Sequence, residues 1–110
     1  MRKDNLVYIE DILNSCNQIL SYVADVEFER LAEDQMLLDA VIRNVEVIGE
    51  AANKLDAEFV LLHPEFPVRG AITMRNKLIH DYNTIDPEVV WDTVKNDVPE
   101  LKNLCEKLLR

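Results

Sequence analysis

The sequence predicts an all-α fold: an antiparallel up-down bundle of four long helices with one further short helix. Three observations carry that expectation. Apolar residues recur at steps of three and four through most of the chain. Only two glycines and four prolines occur, which leaves little material for long irregular loops. No stretch alternates apolar and polar residues as a half-buried strand would. The 110 residues fit one domain, 1–110, and an apolar share of 48% suffices for a small core.

The first helix is marked by Leu6, Ile9, Leu13, Cys16, Leu20 and Val23, with Asp4 as N-cap. A short acidic connection follows around "ADVEFE". The second helix is expected from about Glu29 to Leu55. Val41, Val45, Ile48, Ala52, Leu55 and Phe59 form its apolar stripe. Gln35, Asp39, Arg43, Glu46, Glu50 and Asn53 fall opposite at about 100° per residue. Met36, Ala40, Val47 and Ala51 widen the apolar arc beyond what one neighbour needs. Such a helix is central to a bundle or also part of a subunit interface. Asn44 falls inside the arc and needs a hydrogen bond. "HPEFP" breaks the pattern at His63 and Pro64, and Glu58 to Leu62 reads as a separate helical turn. A third long helix covers roughly Val68 to Tyr82. Asp86 and Pro87 are cap and first residue of the last helix, which carries Val90, Val94, Val98, Leu101, Cys105 and Leu108. Pro99 is expected to kink it.

Twelve basic residues against 21 acidic ones give a net charge of −9. A chain this acidic is not a general nucleic-acid binder, and any phosphate contact must come from a local basic patch. Cys16 and Cys105 are too few for a disulfide framework and suit a reducing compartment as core thiols. The N-terminus "MRKDNLVYIEDIL" is no signal peptide, because charges interrupt its apolar stretch. No apolar run approaches the roughly 20 residues of a membrane helix. A cytoplasmic protein without membrane contact is expected.

One stretch asks for more than a core. "MRNKLIHDY", residues 74 to 82, places Arg75, His80 and Tyr82 among Met74, Leu78 and Ile79. On a straight helix Arg75 shares the apolar side with Ile72, Ile79 and Tyr82, a costly place for a guanidinium without partners. His80 lies about 140° from Arg75, near Asn76. One straight helix therefore does not aim Arg75 and His80 at the same spot; either its end distorts or another chain completes the site. Singly, each residue has an ordinary reading. Arg75 bonds a buried carboxylate or a helix end. His80 sits near a helix C-terminus favoured by the dipole. Tyr82 packs with its hydroxyl exposed.

Together, Arg75, His80 and Tyr82 form Arg-x4-His-x-Tyr, and the chain resembles the HepT-type toxins of the HEPN superfamily. The resemblance extends to "AVIRNVEVIGEAANKL", residues 40 to 55, with Gly49, Glu50 and Ala51 at its centre. It continues through "FPVRGAITMRNKLIHDYNTIDPEVVWDTV", residues 66 to 94. Val68 departs from the pattern, standing where the family usually has tryptophan. The resemblance implies a helical bundle that forms a homodimer and brings two motifs to one cleft. It implies a metal-independent endoribonuclease toxin, acting on an RNA such as tRNA or mRNA. It also implies an MNT-type nucleotidyltransferase antitoxin that adds AMP to Tyr82.

The residue types suit that reaction. RNA carries its own nucleophile, the 2′-hydroxyl, and an imidazole with a pKa near ~6.5 can remove that proton or protonate the leaving oxygen. Arg75 is always charged and matches phosphate oxygens as a fork. Asn76 is placed to orient His80 or the phosphate, and Tyr82 to position substrate. No cofactor is expected, since neither metal-ligand spacing nor a glycine-rich phosphate loop is present. Arg69 and Lys77 are the nearest extra basic residues; Glu46, Glu50 and Asn44 are secondary candidates. His63 reads as a loop residue and Trp91 as a packing anchor. A rival reading is a non-catalytic HEPN-like dimer that binds a nucleotide or a protein. The surroundings of Arg75 discriminate: a basic, open setting favours the nuclease, a closed acidic one the binding module.

Overall fold

The structure, a computed structural model, describes residues 4–79 and 85–110. Those residues form helices joined by short connections, with no strand among them. α1 spans Asn5–Val23, α2 Phe28–Glu33, α3 Gln35–Asn53, α4 Ala57–Leu62 and α5 Val68–Ile79. α6, Pro87–Asp92, runs through a π-helical segment, Thr93–Asp97, into α7, Val98–Leu108. Four long helical runs thus carry the chain, with α2 and α4 as short additions.

Short acidic side chains set the starts. Asp4 accepts from Leu6 N at 2.9 Å, Asp56 from Phe59 N at 2.9 Å, and Asp86 from Glu88 N at 2.9 Å. Each satisfies a donor that a helix start leaves unpaired. Asp34 does the same, accepting from Leu37 N at 3.1 Å with extended backbone angles. That cap corrects the expected helix from Glu29 to Leu55. The run is two helices, because the Asp34 carboxylate competes with the backbone for the same N–H and ends one helix to begin the next. Asn5 and Asp56 exchange two hydrogen bonds, Asn5 Nδ2 donating to Asp56 Oδ2 and Asp56 N donating to Asn5 Oδ1. They tie the start of α1 to the start of α4.

The core is one cluster. α1 contributes Ile9, Ile12, Cys16, Ile19 and Val23, with Leu13 and Leu20 only half-buried and Leu6 exposed. The buried stripe is therefore offset from the expected one and includes Ile12 and Ile19. α3 contributes Leu38, Val41, Val45, Ile48, Ala51 and Ala52, and packs against both α1 and α5. Its outer flank is graded: Ala40 and Val47 are half-buried and Met36 is exposed. Asn44 is buried, and its Nδ2 donates to Ala40 O at 3.0 Å, which answers its need without a partner from elsewhere. α7 closes on α1, and Val90, Val94, Val98, Leu101 and Cys105 are buried as expected.

Around Pro99 the helix widens. Val98 N donates to Thr93 O, five residues back, just before the proline that opens α7. A proline has no N–H and crowds the carbonyl four residues earlier, here that of Lys95. The wider turn moves that carbonyl into a different register. Thr93 is fully buried in this turn, and its Oγ1 has no hydrogen-bond partner among the described residues. Cys16 and Cys105 are buried free thiols, each pushed up to about 12 chiefly by burial, which makes them inert core residues. Trp91 anchors α6 by an edge-on contact with Phe28 at 5.9 Å. No described helix is long and apolar enough to cross a membrane.

Candidate functional site

α5 carries the first half of the Arg-x4-His-x-Tyr motif. Met74 and Leu78 face the core, and Arg75 is half-buried between that face and solvent. Its stem lies flat on α3. A methyl group in place of the Gly49 hydrogen would stand 2.5 Å from Arg75 Cδ, 2.9 Å from its Cβ and 3.0 Å from its Nε. No real methyl group tolerates the first two, so only glycine at 49 admits this side chain. The guanidinium beyond is turned onto its sequence neighbour. Arg75 Nε donates to Asn76 Oδ1 at 3.1 Å, and Nη2 donates to the same oxygen at 2.9 Å. Nη1 and the remaining Nη2 hydrogen bond no other described residue.

Among the described residues no carboxylate comes within ion-pair reach of Arg75. The ordinary reading of Arg75 as the partner of a buried carboxylate therefore finds no such carboxylate among the described residues. His80 and Tyr82 lie outside the described residues, so the structure describes Arg75 and Asn76 of the expected site. Asn76 engages Arg75 directly, an alternative to the expected role toward His80.

The other basic candidates are elsewhere. Arg69 and Lys77 line a cleft of about 380 Å³ with Thr73, Met74, Asp97, Glu100 and Leu101, on the side of α5 away from Arg75. Its walls mix both signs of charge. Burial and the neighbouring Asp92 raise the Asp97 carboxyl above its ordinary value, with Lys77 pulling the other way. Glu50 is exposed beside a small groove of about 70 Å³ that Tyr8, Asp11 and Lys54 also line. Glu46 approaches Arg43 at 3.9 Å on the solvent face. His63 ends α4, within 3.3 Å of Glu65 and against the Phe59 ring. None of these side chains forms a hydrogen bond or ion pair with Arg75. No group of three His, Cys, Asp or Glu side chains among the described residues could hold a metal ion.

Gly49 is the residue whose part the sequence reading did not isolate. The available signal was a lone glycine inside a 19-residue helix, where alanine is the better helix former.

This is a small helical chain whose described residues turn the Arg75 guanidinium onto Asn76. It belongs to the ribonuclease HepT-like family, whose model matches residues 12–108. A "Probable ribonuclease HepT" of Thermococcus cleftensis is 42% identical over 98% of both chains. A protein of Methanocaldococcus jannaschii named "Putative RNase" is 36% identical over 99% of this chain and 90% of its own. Another of that name, from Caldanaerobacter subterraneus, is 34% identical over 94% of this chain and 92% of its own. No solved structure matches.

Proposed function

We propose that this protein is a metal-independent endoribonuclease toxin that cleaves RNA at a site built on Arg75 and His80. Membership of a ribonuclease family and relatives named as ribonucleases support RNA cleavage. The observation that carries the site is Arg75, which among the described residues has no carboxylate partner, one edge bonded to Asn76 and the other edge unbonded. A guanidinium so held is matched to two phosphate oxygens.

In the proposed reaction His80 takes the proton of the RNA 2′-hydroxyl. The 2′-oxygen bonds to phosphorus, and the bond to the 5′-oxygen breaks. That oxygen receives a proton from a second imidazole, leaving a 2′,3′-cyclic phosphate and a 5′-hydroxyl. Arg75 stabilises the charge that builds on the non-bridging oxygens. The four long helical runs are read as an antiparallel up-down bundle that pairs as a homodimer. The dimer supplies two His80 side chains to one cleft, for base and acid. The protein acts in the cytoplasm, opposed by an MNT-type nucleotidyltransferase antitoxin. AMP on Tyr82 brings bulk and negative charge to the phosphate site and silences it.

The test is purified protein with tRNA or total RNA in excess EDTA. Wild type cleaves, and His80→Ala loses about 10²–10⁴-fold of the rate while remaining folded. Full activity in His80→Ala, or strict dependence on magnesium, refutes the mechanism. For Tyr82, incubation with a cognate nucleotidyltransferase and ATP raises the intact mass by one adenylate, and Tyr82→Phe abolishes the shift. Inhibition without a mass change replaces modification by masking. The net charge of −9 favours the rival reading of a non-catalytic binding dimer; wild-type protein that leaves RNA intact in this assay selects it.

A further inference from the structure

Gly49 has no backbone reason to be glycine. It lies inside α3, away from either cap, and neither glycine of the chain has a positive φ. A mid-helix glycine costs more conformational entropy on folding than alanine would. What demands it is space: the Cβ, Cδ and Nε of Arg75 all crowd the position a methyl group would take.

We propose that Gly49 is a positioning residue, the seat that holds Arg75 in the orientation needed for RNA cleavage; the catalytic half of this rests on the nuclease reading above. Arginine is flexible, and a free one samples many rotamers before meeting a phosphate. Here the seat confines the stem against the α3 backbone, and Asn76 fixes the head through two donors to one oxygen. Among the described residues the outward edge has no partner. Preorganisation of this kind acts on the transition state more than on substrate binding. The contact with Cβ matters as well as that with Cδ. Rotating the side chain relieves the second but not the first, so a methyl at 49 also presses the backbones of α3 and α5 apart.

The test is a double-mutant cycle of Gly49→Ala with Arg75→Gly, which removes the Cβ contact as well as the stem, read two ways. In the wild-type background Gly49→Ala lowers kcat about 10–100-fold, with KM changed far less. In the Arg75→Gly background it leaves the residual rate unchanged, because neither the stem nor its Cβ remains to displace. The melting temperature gives a readout independent of RNA. Gly49→Ala lowers Tm when Arg75 is present. It raises Tm by about 2–6 °C in the Arg75→Gly background, where only the helix preference for alanine remains. That reversal of sign supports the seat. An equal rise in both backgrounds overturns it, as does Gly49→Ala with wild-type kcat. Wild-type protein that cuts no RNA overturns the nuclease reading and the catalytic half of this proposal; the sign of the Tm change then still decides the seat.

Discussion

α3 meets α1 and α5, and the two contacts are built from opposite materials. The buried positions of α1 repeat as Ile9, Ile12, Cys16, Ile19 and Val23, all apolar apart from Ser15 at the margin. α5 brings Met74 and Leu78 to the same core, then lays the stem of an arginine across a glycine. Burying aliphatic surface is favourable at about 25 cal/mol per Å². Holding a cation half out of water is not favourable, and among the described residues no carboxylate offsets it. The first contact is what folding selects. The second makes sense as a site, because it keeps a charge ready for a ligand at some expense in stability.

The comparison can be broken from either side. Ile12→Ala strikes the α1 contact and carries the largest expected change in stability. It should lose about 2–5 kcal/mol, read by urea or thermal unfolding, while the cleavage rate per folded molecule stays near wild type. A loss of rate without a loss of stability would show that the α1 contact also serves the site.

The outer face of α5 gives the smallest effect. The Asp97 carboxyl, beside the cleft with Lys77, titrates above its ordinary value because burial and Asp92 disfavour its charge. The folded state therefore holds that proton to higher pH than the unfolded chain does. Stability falls as pH rises through this window, and the penalty is fully present above it. Asp97→Asn should raise Tm at pH 7 by less than about 3 °C, and by nothing at pH 3, where both states are protonated. A fall in Tm at pH 7 would mean that Asp97 gains more from Lys77 than burial takes from it.

What could be read from the sequence was what local chemistry decides. Asp4 and the Asp86–Pro87 pair announce helix starts because a short acceptor and a preset φ act within one turn. The α7 stripe was legible because its apolar residues allow a single face. In α1 they allow two: steps of three and four fit Leu6, Leu13 and Leu20 as well as Ile12 and Ile19. Only the directions of α3 and α7 choose between them. The break at Asp34 was hidden inside a run of strong helix formers, where one side-chain bond outweighs propensity. Widening to a π-helical turn at Thr93–Asp97, where a kink was expected, is a choice between two responses to Pro99. Of the site, residue types and order were visible in Arg-x4-His-x-Tyr. The seat at Gly49 was not, since it exists only once α5 crosses α3, 26 residues further along the chain.

The central claim is that Arg75 is held for chemistry and not for folding. Parallel measurement of RNA cleavage in excess EDTA and of Tm, on wild type and Arg75→Ala, tests it most directly. The account predicts a rate about 10²–10³-fold lower, with Tm unchanged within about 3 °C or raised, because a cation with no carboxylate partner among the described residues has been removed from the α3–α5 contact. Wild-type cleavage by Arg75→Ala, or a rate lost only in step with unfolding, would contradict it.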